Sequence, residues 1–424
     1  MNRNNGAVDI RVERGDLSSL RERNTSRVLN VLRRGEATTR VDIAEFTNLD
    51  KKTVTNIVGD LLDRKIIRVF AKYSDGAGRP KEKLEIRGDY ARFAGIDLGG
   101  THLSGVIVDY TGAQVASCDV DVNNDMEPDT LIKLCGYLMD NLAKKAGTES
   151  GMLKGIGISF PGFVTPSASG AVTSENLPKW IDAPVRTLFQ EAYHVPVFVD
   201  DSSRLMALAE LWFGKGRDCD NFIVADLGLG IGCGVVLERR IFRGSNGKSG
   251  EIGHTVVDVN GPACTCGSHG CIESFAAGWS LSRQAWEIMR ANPRSLLRET
   301  CRSVNLEPSI REVVLAAELG DDELKNLLSK AGEYIGLGFS NAISMFNPQR
   351  LIIGGRLTKS NPLLMDALIA TIRTRCMKEI LDDVEIVESE LGISASAWGA
   401  GIACIQGLEA ELSVGWTADK ACMG

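Results

Sequence analysis

The sequence predicts an α/β protein in two parts: a small helical module closed by a β-hairpin over residues 18–88, then a larger two-lobed α/β body over residues 92–424. Three observations lead there. Apolar residues recur at helical spacing through residues 20–62 and then shift to strand-like runs. Residues 1–88 hold 19 Lys and Arg against 13 Asp and Glu, whereas the rest of this chain of net charge −7 is strongly acidic. A glycine-rich hairpin at residues 96–109 recurs at 225–238.

With 424 residues, 44% of them hydrophobic and 24% charged, the chain is long enough for two or three domains with their own cores. That composition excludes a disordered or collagen-like chain. No apolar run approaches the roughly 20 residues that span a bilayer. The opening stretch, residues 1–17, lacks the apolar segment of a secretory leader and is expected to be flexible. Eleven cysteines, an odd number and mostly scattered singly, suit a reducing compartment, so a cytoplasmic location with no membrane contact is expected.

The first helix is predicted from Ser18 to Arg34, carrying Leu20, Val28, Leu29, Val31 and Leu32, with Gly35 as its stop. A short helix begins at Thr39, with Asp42 three residues on in a capping-box pattern, and ends near Phe46 and Thr47. The third helix, 51–63, has the clearest pattern: Val54, Ile57, Val58, Leu61 and Leu62 form one apolar stripe, and Asp50 can cap its start. Its opposite face offers Lys51, Lys52, Thr53, Thr55 and Asn56, side chains suited to phosphates and base edges. A short helix, a tight turn and a helix with a polar leading face make a helix-turn-helix. The strand-like runs Ile67–Tyr73 and Glu82–Ile86 flank a glycine-rich basic tip, a wing on which Arg79 beside Pro80 suits a narrow minor groove. Double-stranded DNA is the partner this module implies.

In the body, five positions of the two hairpins are identical: Asp97/Asp226, Leu98/Leu227, Gly99/Gly228, Gly105/Gly234 and Val106/Val235. Each copy reads strand, Asp, glycine turn, strand, so duplicated lobes with a cleft between them are expected. Gly99, Gly100 and Thr101 in one copy, and Gly228 and Gly230 in the other, allow backbone N–H groups to approach a phosphate. Neither turn leads into a helix, which excludes dinucleotide-binding and P-loop fingerprints. Gly354-Gly355, after another strand, is a further candidate turn of this kind.

Residues 251–273 place His254 ahead of Cys264 with nine residues between them, then Cys266 and Cys271. Four such ligands on a glycine-rich loop can close a tetrahedral zinc site. His269 competes with His254, but it stands only three residues after Cys266, a cramped spacing that favours His254. A closed site makes the metal structural, one zinc per chain. Glu251 and Glu273 bracket the motif, and with the second ring nitrogen of His254 they form good partners for sugar hydroxyls.

The chain is similar to the ROK family (repressors, open reading frames, kinases). The likeness runs from about Ser18 onward. It rests on the wing ending in GAGRP, DLGGT at 97–101, SFPG at 159–162, SENLPKW at 174–180, GEIGH at 250–254 and CTCGSHGCIE at 264–273. The attached winged helix points to the family's repressor branch. The resemblance implies an actin-like (ribonuclease H-like) two-lobed body with a sugar in its cleft. It implies a homodimer or homotetramer, since a palindromic operator needs two winged helices. It assigns sugar contacts to Asn176, Asp201, Glu251, His254 and Glu273, and zinc ligation to His254, Cys264, Cys266 and Cys271.

Two departures separate the chain from the family's kinases. Where those carry Asn-Asp before a helix ending in Ala-x-x-Glu, this chain has VDDSSRLMALAE at 199–210. Counting back from Glu210 puts Ser202 at the base position and Asp201 at the Asn position, while a one-residue shift would make Asp201 the base. Losing a positioned base costs about 10²–10⁴ in rate. The second glycine loop carries Leu229 where the kinases have Thr, and Leu offers a phosphate no hydrogen bond. Together these imply a sugar sensor without catalytic residues, its glycine loops vestigial. The alternative is a sugar kinase fused to a DNA-binding module, with Asp201 as base and Asp97 near Mg²⁺.

Overall fold

The computed structural model describes residues 17–73, 81–122, 125–165, 170–174 and 177–412. The expectations for residues 1–16, for Arg79 at the wing tip and for Asn176 fall outside the described residues. The chain divides into two compact units, Met1–Tyr90 with Ile405–Gly424, and Ala91–Cys404.

The first unit holds helices α1 (Leu17–Arg34), α2 (Arg40–Thr47) and α3 (Lys51–Asp63) and strands β1 (Ile67–Tyr73) and β2 (Lys81–Ile86). Local chemistry sets the boundaries. The Thr39 side chain accepts from Asp42 N at 3.3 Å to start α2, and Asn48, in the left-handed region at φ 52°, ends it. Asp50 caps α3 by accepting from Thr53 N at 2.8 Å. The apolar stripe of α3 is buried at Val54, Ile57, Val58 and Leu61, as are Val28 and Leu29 on α1 and Ile43 on α2, while Leu62 is half-buried. β1 and β2 pair antiparallel from Ile67↔Ile86 to Tyr73↔Lys81, with an irregularity between Val69 and Ala71.

The second unit repeats one plan. Its first lobe comprises β3 (Arg92–Leu98), β4 (His102–Asp109), β5 (Gln114–Asp121), α4 (Pro128–Lys145) and β6 (Ile156–Phe160). Next come β7 (Phe163–Val164), β8 (Ala171–Thr173), β9 (Ala183–Pro184), α5 (Val185–Tyr193) and β10 (Val197–Asp201). The main sheet runs β10-β6-β3-β4-β5, with β7–β9 as a small side sheet. After α6 (Ser202–Phe213), the second lobe opens with β11 (Phe222–Leu227), β12 (Ile231–Leu237) and β13 (Arg240–Ile241). It continues through α7 (Ile272–Ala276), α8 (Gly278–Ala291), α9 (Leu297–Thr300), α10 (Ile310–Glu318) and α11 (Asp322–Phe346). It ends with β14 (Arg350–Gly354), α12 (Pro362–Arg375), α13 (Lys378–Leu381), β15 (Glu385–Glu388) and α14 (Ala395–Leu412). Its sheet runs β13-β12-β11-β14-β15. In both sheets a central strand forms an antiparallel hairpin on one side and pairs in parallel on the other. The internal repeat is therefore structural, and the body is the actin-like pair of lobes that the resemblance implies.

α14 departs from the sequence-based boundary, which assigned everything after residue 92 to the body. Through Cys404 the helix belongs to the second unit, where it lies flush on the first sheet. A Cβ at Gly157 would stand 1.9 Å from Ala400 O, so only glycine admits this contact. From Ile405 onward it belongs to the first unit. There Glu409 Oε1 accepts from Arg33 Nη2 at 2.5 Å, and the two side chains are 3% and 5% exposed. Apolar periodicity alone does not reveal such a division, because both halves of the helix are buried.

Candidate functional site

One cavity of about 1220 Å³ in the second unit gathers most of the body residues singled out from the sequence. Asp97, Gly99, Gly100 and Thr101 enter from the β3–β4 turn, and Asp226, Gly228, Leu229 and Gly230 from the β11–β12 turn. Asp201, Ser202, Glu251, His254, Cys266 and Glu273 line the same space.

The Cys/His loop forms from short backbone pairings, Val256↔Cys271 and Ala263↔His269, that fold residues 254–271 back on themselves. The ligand atoms of His254, Cys264, Cys266 and Cys271 all lie within 4.8 Å of one another. Cys264 Sγ is 3.7 Å from His254 Nδ1, and Cys266 Sγ is 3.8 Å from Cys271 Sγ. The edge of a tetrahedron with bonds of about 2.3 Å to sulfur is about 3.8 Å, so these residues fit a tetrahedral metal and could hold one. His269 is exposed and stands apart from this group. With Nδ1 toward the sulfurs, His254 Nε2 lies 4.0 Å from Glu273 Oε2. Glu273 Oε1 accepts from Ile231 N at 2.6 Å, which ties the loop to the strand leaving the second glycine turn.

Asp201 caps α6, its Oδ1 accepting from Arg204 N at 3.1 Å, and Ser202 is the first residue of that helix. Burial pushes the Asp201 carboxyl up to about 6, against the opposing charge of Arg204. Burial and the Asp201 charge push Glu251 up to about 7. Arg204 is itself buried; its Nε donates to Asp200 Oδ1 at 2.9 Å and its Nη1 to Ser249 O at 3.2 Å, fixing the segment ahead of Glu251. Carboxyl groups this poorly solvated gain from neutral hydroxyl donors.

Sequence reasoning missed His102. Its Nε2 donates to Asp97 Oδ2 at 2.9 Å. Asp97 Oδ1 accepts from Ser159 Oγ at 2.5 Å and lies 3.4 Å from Ser202 Oγ. Asp97 thus stands beside Ser202, with both of its oxygens already engaged. The repeat aligns His102 with Ile231, but this is one of nine differing positions among fourteen, so the alignment did not single His102 out.

Asp226 sits on the floor of the cavity. Burial, followed by Asp97 and Asp201, pushes it up to about 7. Its folded value lies above the unfolded one, so ionisation in the fold is disfavoured as pH rises between the two. Asp226→Asn is expected to stabilise the protein by about 1 kcal/mol above pH 7, given a cavity open to solvent. The gain should shrink toward zero near pH 4, and melting curves from pH 4.5 to 8 would check it. A gain independent of pH would mean that Asp226 is ionised in the fold throughout.

In the first unit, Lys51, Lys52, Thr55 and Asn56 are exposed on α3. Thr53 is half-buried and its hydroxyl bonds Asp50 Oδ2 at 2.5 Å, so it serves the cap. Thr55 Oγ1 donates to Lys51 O at 2.7 Å. Among the described residues, no helix is long and apolar enough to cross a membrane.

Comparison with known proteins places this geometry. The xylose repressor of Bacillus subtilis (strain 168) is 27% identical over 387 residues, covering 91% of this chain and 95% of that protein. A crystal structure of a ROK family transcriptional regulator, a homologue of the E. coli MLC protein, is 25% identical. It covers 93% of this chain and 98% of its own, with a TM-score of 0.75. A ROK family glucokinase from Streptomyces griseus, solved with glucose and AMPPNP, is 25% identical and covers 74% of this chain and 99% of its own, with a TM-score of 0.65. The sequence profile of the ROK family matches residues 93–406. With two lobes on one strand plan, paired glycine turns and a Cys/His loop at the cleft, the chain belongs to the ROK family.

Proposed function

We propose that the protein is a sugar-responsive, DNA-binding transcriptional repressor of carbohydrate metabolism genes, working in the cytoplasm. The observation that carries this reading is the joining of two parts in one chain: a helix-turn-helix with an exposed polar face on α3, and a cleft of the ROK sugar-kinase fold. The similar regulator spans both parts, whereas the similar glucokinase spans 74% of the chain. Lys51, Lys52, Thr55 and Asn56, with Arg79 on the wing, face the operator, and Thr53 sets the start of the reading helix. Two copies in a homodimer or homotetramer meet half-sites about 34–36 Å apart. Asp201, Glu251, His254 and Glu273, with Asn176, hold the effector sugar. Zinc on His254, Cys264, Cys266 and Cys271 is structural and keeps Glu273 and His254 in place. Sugar binding lowers operator affinity, a coupling typically worth about 1–3 kcal/mol.

A kinase reading needs a free base at the sugar hydroxyl. Ser202 stands at that position in our alignment, and Asp97 beside it is committed to Ser159 and His102. The repressor reading is tested by fluorescence anisotropy on DNA from upstream of the protein's own gene, with a panel of monosaccharides and their phosphates. Tight binding that weakens steeply with salt and is released by one sugar is expected. Tight binding that no sugar alters would replace the sugar effector with a protein partner, and sugar-dependent ADP release lost in Asp201→Asn would favour the kinase.

A further inference from the structure

We propose that His102 closes the first glycine loop to phosphate, so that the cleft takes its sugar without a nucleotide. The inference rests on the sensor reading and adds the device that separates this cleft from one that also holds AMPPNP. A Cβ built on Gly99 would lie 2.1–2.5 Å from three atoms of the His102 ring, so the ring rests directly on the Gly99 backbone. The ring thereby fills the space against Gly99 into which a phosphate approaching the loop backbone would have to come. The same ring holds Asp97 Oδ2, and Ser159 holds Oδ1. A divalent cation arriving with a nucleotide would have to take these oxygens from partners already inside the protein.

The opposite side of this end of the cleft is also engaged. Gly228 N donates to Gly230 O at 2.9 Å, within the second loop. Arg356, which follows β14 and lines the cavity, pairs with Asp119 and donates to Ser104 Oγ at 3.1 Å across the lobes. His102 Nδ1 is buried and has no hydrogen-bond partner among the described residues. The imidazole is thus held by one nitrogen and by its contact with Gly99, and it acts as an internal plug beside Asp97.

The test is calorimetric titration of the full-length, metal-loaded protein with MgADP up to 10 mM, alongside operator anisotropy on the same samples. The wild type is expected to show no saturable binding below about 5 mM, and His102→Ala to bind at least tenfold more tightly. His102→Asn, shorter but still able to donate to Asp97, should fall between them and serves if the alanine variant misfolds. Submillimolar MgADP binding by the wild type would overturn the proposal, as would no gain in either folded variant. Loss of operator binding by the wild type would instead sink the repressor reading and leave the His102 result standing.

Discussion

Replacing Cys271 with serine is expected to release the metal and abolish the sugar response with it. Cys271 is fully buried, and its Sγ lies 3.8 Å from that of Cys266. Burial, helped by the neighbouring Cys266 and Cys264 sulfurs, holds its thiol up at about 12, and burial raises that of Cys264 as well. Only a bound cation makes these groups thiolates at neutral pH, so metal affinity and loop structure are one equilibrium. In zinc-finger peptides such a site is worth about 10–16 kcal/mol. Here backbone pairings such as Ile272 N to Thr255 O at 3.1 Å also hold the loop, so a smaller share is lost, about 4 kcal/mol, or roughly 10 °C in Tm. Glu273 stands two residues on, and through Ile231 N it connects the loop to the second glycine turn. Metal content after dialysis, melting temperature and sugar-induced operator release should fall together. A variant that keeps one zinc per chain would overturn the ligand assignment.

Glu409→Ala is expected to destabilise the first unit while leaving the second intact. Its carboxylate and the Arg33 guanidinium are almost wholly buried. Deleting one member of such a pair leaves a desolvated charge and costs about 3–5 kcal/mol. For a unit of this size that approaches the entire stability, about 5 kcal/mol. Operator affinity should drop by up to about twofold at 25 °C and far more on warming, and protease sites within α1–α3 should open first. A double substitution, Arg33→Met with Glu409→Leu, should restore much of the stability, because an apolar pair of similar volume removes the desolvation cost. Full operator affinity in Glu409→Ala on warming would refute the structural role of the pair.

What was legible in the sequence follows from how local each determinant is. Helix α3 could be bounded closely because its cap, Asp50, and its stripe, Val54 to Leu61, act within one or two turns. The Cys/His loop was equally readable, since three of its four ligands lie within eight residues. The repeated hairpins announced the lobes because the glycine turn and its strands recur as a unit. His102 was opaque: its role depends on the ring folding back onto Gly99 and on Ser159 and Ser202 arriving from β6 and α6. The division of α14 was opaque for the same reason, since Glu409 meets a residue 376 positions away. Thr53 has a second part that helical spacing alone does not show, since its hydroxyl is bound to the cap residue Asp50.

That distance along the chain has a consequence during synthesis. The ribosome reaches Glu409 about 320 residues after Gly88, some 16–60 s later at about 5–20 residues per second. Throughout that interval the winged helix lacks the final turns of α14, and its buried arginine side chain awaits the carboxylate. The first unit is therefore completed after the unit that holds the cleft has been made. On the repressor reading proposed above, a chain whose first unit is complete already carries the cleft through which it would be released.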